Sequence, residues 1–321
     1  MPPHPSLSRK REGENGRNIM NRHFIDITQL SKLELEKLIA QAQSFITPTG
    51  VNKSNLLQGK TIANLFFEPS TRTRCSFEMA AKALGAEVLN LEISNSSTIK
   101  GETEVDTALN LQAMGVDGFV IRHKENGMVQ KIADALGNEC VVINAGNGTR
   151  QHPSQAVLDM LTISQYHQDF SKLIVAIMGD CHHSRVGYSD IFALHLLGVK
   201  EIRLLTHEKL LPNDLNKLPV MASTNITTGL KNVDIIITLR LQKERHSEEL
   251  ISDKNFLEHY GLTKERVALA KAEVLVMAPG PINRDVEIAD VVADSAQSLI
   301  LQQAKNGVPA RMAIFEKLFL L

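Results

Sequence analysis

Short apolar runs alternate with amphipathic stretches of helical period along this chain, and the whole alternation occurs twice. The apolar runs of the first set are residues 62–67, 88–91, 118–121 and 141–144. Those of the second set are residues 173–179, 202–205, 233–238 and 274–278. Runs of this length and apolar content are typical of parallel strands that are covered on both faces. The pattern therefore predicts an α/β fold with two doubly wound parallel-sheet domains of similar size, joined by helices.

The domain boundaries are predicted from the point where the alternation restarts. Residues 155–166 form an amphipathic stretch between the two sets, and a last helical region near 296–320 closes the chain. We predict a first domain of residues 21–152 plus about 305–321, and a second domain of residues 153–304. A length of 321 residues is also more than one compact core usually contains.

Local signals mark several helix starts. Ser31 and Glu34 have the spacing of a capping box, and apolar residues recur behind them at helical spacing. Further helices are expected to begin near Thr71, Glu104 and Gly127.

Residues 1–20 differ in composition from the rest of the chain. They are rich in Pro, Ser, Arg and Gly and contain almost no large apolar side chains, so they cannot bury a core. We predict a disordered tail here, and Met20 is a candidate start of the native protein. The tail has no apolar segment of the kind that secretory signals contain.

Composition excludes several classes of function. The net charge is −1 with no long basic or acidic block, and no apolar run reaches the length of a membrane span, so neither nucleic acid nor membrane is an expected partner. Cys75, Cys140 and Cys181 show no paired spacing, which predicts free thiols and a cytoplasmic location. His182 and His183 are adjacent and would point to opposite faces of an extended chain, so we predict no metal and no cofactor.

The segment "FFEPSTRTRCSFE", residues 66–78, concentrates hydrogen-bond donors directly after an apolar run. The backbone N–H groups of a helix start lack partners and favour an anion, and the side chains of Ser70, Thr71 and Thr73 add hydroxyl donors. Arg72 adds a planar fork of donors that suits a phosphate or a carboxylate. The alternative is a simple capped helix with solvent-exposed arginines. The density of donors after a strand favours an anion site, although the chain has neither a P-loop nor a G-x-G-x-x-G segment that opens a helix.

Six segments resemble the motifs of the aspartate and ornithine carbamoyltransferase family, in the same order and with similar spacing. They are "FFEPSTRTRCSFEMAAKALGAEV" from residue 66, "STIKGET" (97–103), "VIRH" (120–123), "QHPSQAVLD" (151–159), "LRLQKER" (239–245) and "APGPINRDVEI" (278–288). The resemblance extends from about Phe24 to the C-terminus. It implies a carbamoyl transfer from carbamoyl phosphate to an amino group, in pyrimidine synthesis for the aspartate branch.

The resemblance assigns the carbamoyl phosphate to the first domain. The residues that it implies for phosphate binding are Ser70, Thr71, Arg72 and Thr73. It further implies that Thr73, Arg122 and His152 polarise the carbonyl oxygen, and that Gln155 binds the carbamoyl amino group. His152 is expected to be neutral, because the positive end of a helix disfavours imidazolium. We assign no protein base, and we expect the leaving phosphate to take the proton of the attacking amine.

The resemblance also implies an assembly. Ser96 and Lys100 would reach into the site of a neighbouring subunit, with Ser97 as the alternative serine, so the protein is expected to be a homotrimer with shared active sites. The set implied for catalysis is Arg72, Thr73, Lys100, Arg122 and His152. A regulatory chain or a dihydroorotase is a further partner that the resemblance leaves open.

The second substrate is predicted from the cations of the second domain. L-aspartate carries two carboxylates, and Arg185 and Arg240 are suitable partners for them. The residues that the resemblance implies for aspartate binding are Lys100, Arg185, Arg240 and Gln242. We also expect the backbone carbonyl groups of Pro279 and Gly280 to accept hydrogen bonds from the substrate amine. Surface salt bridging is the alternative for the two arginines.

Two other functions stay open beside the aspartate branch. The motifs of the ornithine branch are absent, but a carbamoyltransferase for another amino acid and a non-catalytic anion-binding paralogue remain alternatives. Ala278 replaces a histidine that is common in the family, and the bond between Gly280 and Pro281 is expected to be cis.

Overall fold

The computed structural model describes residues 22–92, 101–245 and 252–320. The predicted tail, Ser96, Ser97 and Lys100 lie outside these ranges. The strands are β1 His23–Phe24, β2 Ile46–Thr47, β3 Gly50–Val51, β4 Thr61–Phe66, β5 Glu87–Glu92, β6 Gly118–His123, β7 Val141–Asn147, β8 Ile174–Gly179, β9 Glu201–Leu205, β10 Met221–Ser223, β11 Ile235–Leu239 and β12 Leu275–Met277. The α-helices are α1 Lys32–Ser44, α2 Thr71–Ala83, α3 Glu104–Ala113, α4 Met128–Leu136, α5 Pro153–Ser164, α6 Arg185–Leu196, α7 Ile226–Gly229, α8 Asp253–His259, α9 Lys264–Val267, α10 Asp290–Ala293 and α11 Ile300–Phe319.

Two parallel sheets organise the described part of the chain. The first has five strands in the order β1-β7-β6-β4-β5, and the second has five in the order β10-β9-β8-β11-β12. All of their strand pairs are parallel, while β2 and β3 form a small antiparallel hairpin apart from them. The predicted α/β fold with two doubly wound parallel-sheet halves is confirmed.

Each sheet is covered on both faces because its strands are apolar at successive positions. In β4, Ile62 belongs to the core under α1, α2, α5 and α11, whereas Ala63 and Leu65 belong to the core under α3 and α4. The first of these cores continues without a break into the second sheet, where Val175 and Ile177 of β8 join it. The opposite face of the second sheet has its own core. The two sheets are thus joined through one apolar layer built around α5 and α11.

Most predicted elements are found with small differences at their ends. Ser31 and Glu34 form the expected capping box before α1, and the helices at Thr71 and Glu104 start where predicted. The sequence missed the two-residue β1 and the three-residue β10, so each sheet has one more strand than the four apolar runs predicted. Strands this short at a sheet edge carry too few residues to show a period.

The last helix begins later than predicted, at Ile300 and not near 296. Ser298 instead forms an isolated parallel bridge with Val276 of β12. Val276 N–H donates to Gln297 O at 2.9 Å, and Leu299 N–H donates to Val276 O at 2.8 Å. Backbone pairing therefore overrides a sequence pattern that suits a helix.

No helix in the described ranges is both long and apolar enough to cross a bilayer.

Candidate active site

The predicted binding residues follow the carboxyl ends of neighbouring parallel strands. Ser70 comes after β4, Arg122 lies near the end of β6, and His152 comes after β7. In the second sheet, Arg185 follows β8 and Arg240 follows β11. Ligands of doubly wound folds bind at this edge of the sheet, because the loops that can present side chains meet there.

The start of α2 is available as an anion site. Ser70 is the N-cap residue, but its side chain makes no capping hydrogen bond. Thr71 and Arg72 are exposed, while Thr73 is buried. Four donor-bearing side chains therefore surround a helix N-terminus that is not closed by its own cap, which is a suitable geometry for a phosphate.

Glu68 connects the two halves of the molecule through two arginines. Its Oε1 lies 2.7 Å from Arg122 Nε and also pairs with Arg185 Nη2. Arg122 donates to Ala145 O at 3.2 Å, and Arg185 Nη1 lies 3.4 Å from His123 O. Arg185 is only 6% exposed, so the surface salt bridge considered as an alternative for this residue is not what the structure contains.

The close packing of these arginines requires a glycine. A Cβ at Gly146 would lie 2.9 Å from Arg185 Cζ and 3.1 Å from Arg122 Nη1. Gly146 also has a φ of +130°, which side chains of L-residues rarely adopt. The site accordingly contains two guanidinium groups side by side, with one carboxylate between them.

His152 is buried at the start of α5, where Pro153 occupies the first helical position. The backbone N–H of His152 donates to Ser189 Oγ at 2.8 Å, and the Ser189 hydroxyl donates to Gln151 Oε1 at 2.8 Å. Burial lowers the pKa of His152 well below its usual value, and the charges of Arg122, Arg185 and Arg311 lower it further. The imidazole is therefore neutral at neutral pH. The expectation of a neutral ring agrees with this result, but burial is the leading cause.

Gln155 and two buried carboxyl groups lie below the site. Gln155 Nε2 donates to Asp159 Oδ1 at 3.1 Å and to Oδ2 at 3.2 Å, and Gln303 Nε2 donates to Asp159 Oδ1 at 2.7 Å. Asp190 of α6 hydrogen-bonds to Asp159, and both carboxyl groups are fully buried. Burial raises the pKa of Asp159 to about 7 and that of Asp190 well above its usual range. Because Asp159 already accepts hydrogen bonds from two amides, we assign the proton of the pair to Asp190.

The segment after β11 carries Arg240 and Gln242. Arg240 pairs with Glu244, which is the main cause of its raised pKa. Gln242 N–H donates to Asp180 Oδ2 at 3.2 Å, and Asp180 also accepts from His183 N–H at 3.0 Å. Arg240 is half-buried and lies one residue beyond the strand end.

The loop after β12 approaches the first half directly. The Gly280–Pro281 bond is cis, as predicted, and Gly280 has a φ of +55°. A Cβ at Gly280 would lie 3.3 Å from Arg72 Cζ, so the Arg72 guanidinium packs against this backbone. Ala278 N–H donates to Gln303 Oε1 at 2.8 Å. Pro279 and Gly280 are thereby held beside the helix start that carries Arg72.

The structure thus places the predicted residues of the described ranges at or near the carboxyl ends of strands of the two sheets. Ser96 and Lys100 lie outside these ranges. The residues that sequence reasoning missed are Glu68, Asp159, Asp190, Gln303 and Arg311. Glu68 lies inside the donor-rich segment, and Asp159 is four residues beyond Gln155 on one helix, so these two were visible as charges at informative spacing. Asp190, Gln303 and Arg311 belong to other elements, and only the fold brings them here.

Two family models match the chain, one for each sheet. The model of the "Aspartate/ornithine carbamoyltransferase, carbamoyl-P binding domain" matches residues 22–165. The model of the "Aspartate/ornithine carbamoyltransferase, Asp/Orn binding domain" matches residues 171–318. The chain belongs to the aspartate/ornithine carbamoyltransferase family. Its two sheets coincide with the two units that define the family.

Solved structures of this family resemble the carbamoyltransferase described here. Aspartate transcarbamoylase from Trypanosoma cruzi in complex with carbamoyl aspartate and phosphate is 29% identical, with a TM-score of 0.83 over 92% of this chain and 95% of that chain. The same enzyme with N-(phosphonacetyl)-L-aspartic acid is 27% identical, with a TM-score of 0.79 over 92% and 96%. Ornithine carbamoyltransferase from Thermus thermophilus is 22% identical, with a TM-score of 0.81 over 93% and 99%, and shows a shared fold.

Proposed function

We propose that this carbamoyltransferase transfers the carbamoyl group of carbamoyl phosphate to the amino group of L-aspartate. The products are N-carbamoyl-L-aspartate and phosphate, and the reaction belongs to de novo pyrimidine synthesis in the cytoplasm. The observation that carries the proposal is the contact of Arg122 with Arg185 through the Glu68 carboxylate. Arg122, which belongs to the proposed carbamoyl-phosphate site of the first sheet, therefore lies next to Arg185, the proposed aspartate-binding cation of the second sheet.

In this proposal the start of α2 binds the phosphate. The residues assigned to it are Ser70, Thr71, Arg72 and Thr73. The neutral imidazole of His152 donates to the carbonyl oxygen together with Thr73 and Arg122, and these donors stabilise the oxyanion of the tetrahedral intermediate. Gln155 accepts from the carbamoyl amino group. Burial of His152 supports this role, because a neutral ring does not lose its donor as the pH rises.

L-aspartate is assigned to the second sheet. Arg185 and Arg240 bind its carboxylates, Gln242 assists, and the carbonyl groups of Pro279 and Gly280 accept from its amino group. For this, Arg185 and Arg240 exchange the carboxylates of Glu68 and Glu244 for those of the substrate.

The chemical step needs no protein base in this scheme. The aspartate amine attacks the carbonyl carbon, and the bond from that carbon to the phosphate oxygen breaks. The amine proton leaves with the phosphate. The side chains of the proposed site orient the two substrates and stabilise charge without exchanging protons.

We further propose a homotrimer in which Ser96 and Lys100 complete the site of a neighbouring subunit. We also propose domain boundaries at 152/153 and at about 305. The packing of α11 on α1, α2 and α5 supports the return of the chain to its first domain after residue 305.

Mixing Lys100→Ala subunits with Arg72→Ala subunits tests the shared site of the proposed homotrimer. Some mixed trimers then contain an intact site, so activity should return; mixtures that stay inactive would contradict the sharing.

A ureido assay with aspartate, ornithine and acetylornithine tests the substrate. Carbamoyl phosphate should be consumed with aspartate alone. Turnover of ornithine without aspartate would place the protein in the other branch. Binding of carbamoyl phosphate without turnover of any amino acid would favour the non-catalytic alternative.

Arg72→Ala tests the phosphate site. The variant should keep its fold and lose about a hundredfold or more in kcat/KM, because a charge-assisted donor is removed from the transition state. Lys82→Ala is the matched control, since it removes the same charge from the last turn of the same helix. Near-normal activity of Arg72→Ala would refute the assignment.

A further inference from the structure

The side-chain carboxamide of Gln155 can be placed in two orientations, and only one of them lets Gln155 bind its predicted ligand. The carbamoyl amino group is a hydrogen-bond donor, so the side-chain oxygen of Gln155 must face it and the side-chain nitrogen must face away. A carboxamide on its own has little preference, since its two ends have nearly the same shape. Something in the protein has to select the orientation.

Asp159 makes this selection in the structure. Its carboxylate accepts from Gln155 Nε2 through both oxygens, at 3.1 and 3.2 Å. Above its pKa of about 7 the Asp159 carboxylate only accepts, so the Gln155 nitrogen must point to it and the oxygen must point the other way. Gln155 is 8% exposed and Asp159 is fully buried, so water does not compete for this contact.

Gln303 fixes Asp159 in turn and connects it to the other substrate loop. Gln303 Nε2 donates to Asp159 Oδ1 at 2.7 Å, and Gln303 Oε1 accepts from Ala278 N–H at 2.8 Å. A backbone N–H only donates, so the direction of this carboxamide is fixed at both ends. The donor and the acceptor of each hydrogen bond are therefore fixed, from the backbone of the loop after β12 through Gln303 and Asp159 to Gln155.

We propose that Asp159 is a positioning residue, which with Gln303 holds the oxygen of Gln155 toward the carbamoyl amino group. The proposal rests on the proposed function, because it assumes a carbamoyl ligand. If the proposal is right, Asp159 causes the protein to bind a ligand with –NH2 more tightly than one with a group of the same size that cannot donate a hydrogen bond. A residue that merely stabilises the junction of the sheets would affect both kinds of ligand alike.

Two stable phosphonates separate these roles. Phosphonoacetamide carries the amide –NH2, and acetonylphosphonate carries a methyl group at the same place. Calorimetric titration of wild type, Asp159→Asn and Thr162→Val with each compound measures the preference for –NH2. Thr162 is the matched control, because it is fully buried on the same helix and contacts Asn306, not Gln155.

Asp159→Asn should weaken phosphonoacetamide binding about fivefold, the equivalent of one neutral hydrogen bond, and leave acetonylphosphonate within about twofold. With Asn at this position one acceptor becomes a donor, so Gln155 turns its nitrogen toward the ligand. Thr162→Val should leave both affinities unchanged. In a Gln155→Ala background, Asp159→Asn should have no further effect on either compound.

Equal weakening of both phosphonates by Asp159→Asn, or an unchanged preference, would overturn the positioning role. If the variant does not fold, Gln303→Met decides the matter by removing one of the two amides that hold Asp159. It should reduce the preference for phosphonoacetamide about twofold, and a full preference would contradict the proposal. Wild type that binds neither phosphonate would instead refute the proposed function, and the positioning role with it.

Discussion

Replacing Asp190 with Asn should reduce the dependence of stability on pH. Asp190 of α6 and Asp159 of α5 form a hydrogen-bonded carboxyl pair that is fully buried. Burial raises the pKa of both, to about 7 for Asp159 and well above the usual range for Asp190. Asn has nearly the shape of a protonated Asp and still donates to Asp159, but it carries no titratable proton.

The size of the effect follows from proton linkage. In the unfolded chain a typical Asp ionises near pH 4, whereas folded Asp190 keeps its proton through the neutral range. The folded protein therefore binds more protons above pH 4, and its free energy of unfolding falls as the pH rises. One retained proton contributes a slope of about 1.4 kcal/mol per pH unit. For each pH unit above 4 in which folded Asp190 keeps its proton, Asp190→Asn should gain about 1.4 kcal/mol relative to wild type.

Urea unfolding at several pH values between 4 and 8 measures this gain. The helix signal in circular dichroism is a suitable probe, because the chain has no Trp. Thr162→Val, a neutral change on the buried helix α5 that carries Asp159, should show a difference from wild type that does not vary with pH. If Asp190→Asn also differs from wild type by a constant amount, Asp190 is ionised in the folded protein and the reasoning is wrong.

Two further substitutions test the contacts between the sheets. Glu68→Gln should lower the KM for aspartate several-fold, because the Glu68 carboxylate no longer competes with the substrate for the Arg185 guanidinium; an unchanged or raised KM in steady-state kinetics would contradict this. Gly280→Ala should raise the KM for carbamoyl phosphate several-fold, since the new Cβ would lie 3.3 Å from Arg72 Cζ. Gly59→Ala is its control: it also has positive φ but open space, so both variants should lose about 1 kcal/mol of stability and only Gly280→Ala should change the KM.

The fold class could be predicted from the sequence because buried parallel strands require continuous apolar runs. The runs before Ser70 and around Val120 and Val175 all became strands at the centre of a sheet. Edge elements were not predictable in this way. The strand Met221–Ser223 is too short to show a period, and residues 297–299 look helical but pair with Val276. In both cases the neighbouring strand supplies the hydrogen bonds that decide the structure.

The sequence by itself determined where the donors of the proposed anion site lie. A cluster of hydroxyl and guanidinium donors behind a strand is a local property, because a helix N-terminus and the side chains of its first turn are close together in any fold. Arg122 and His152 became candidates through the family resemblance of their segments, and Arg185 became one because its cation suits a carboxylate of aspartate.

Only the tertiary structure decided how these groups are held and charged. Glu68 pairs with Arg185, which is 117 positions away, and Gln303 reaches Asp159 across 144 positions. The neutral state of His152 and the proton on Asp190 depend mainly on burial, which is a property of the packed molecule. The pKa of a buried group and the orientation of a buried carboxamide depend on partners that are distant in sequence and on the exclusion of water. The neighbouring residues in the sequence therefore do not determine either property.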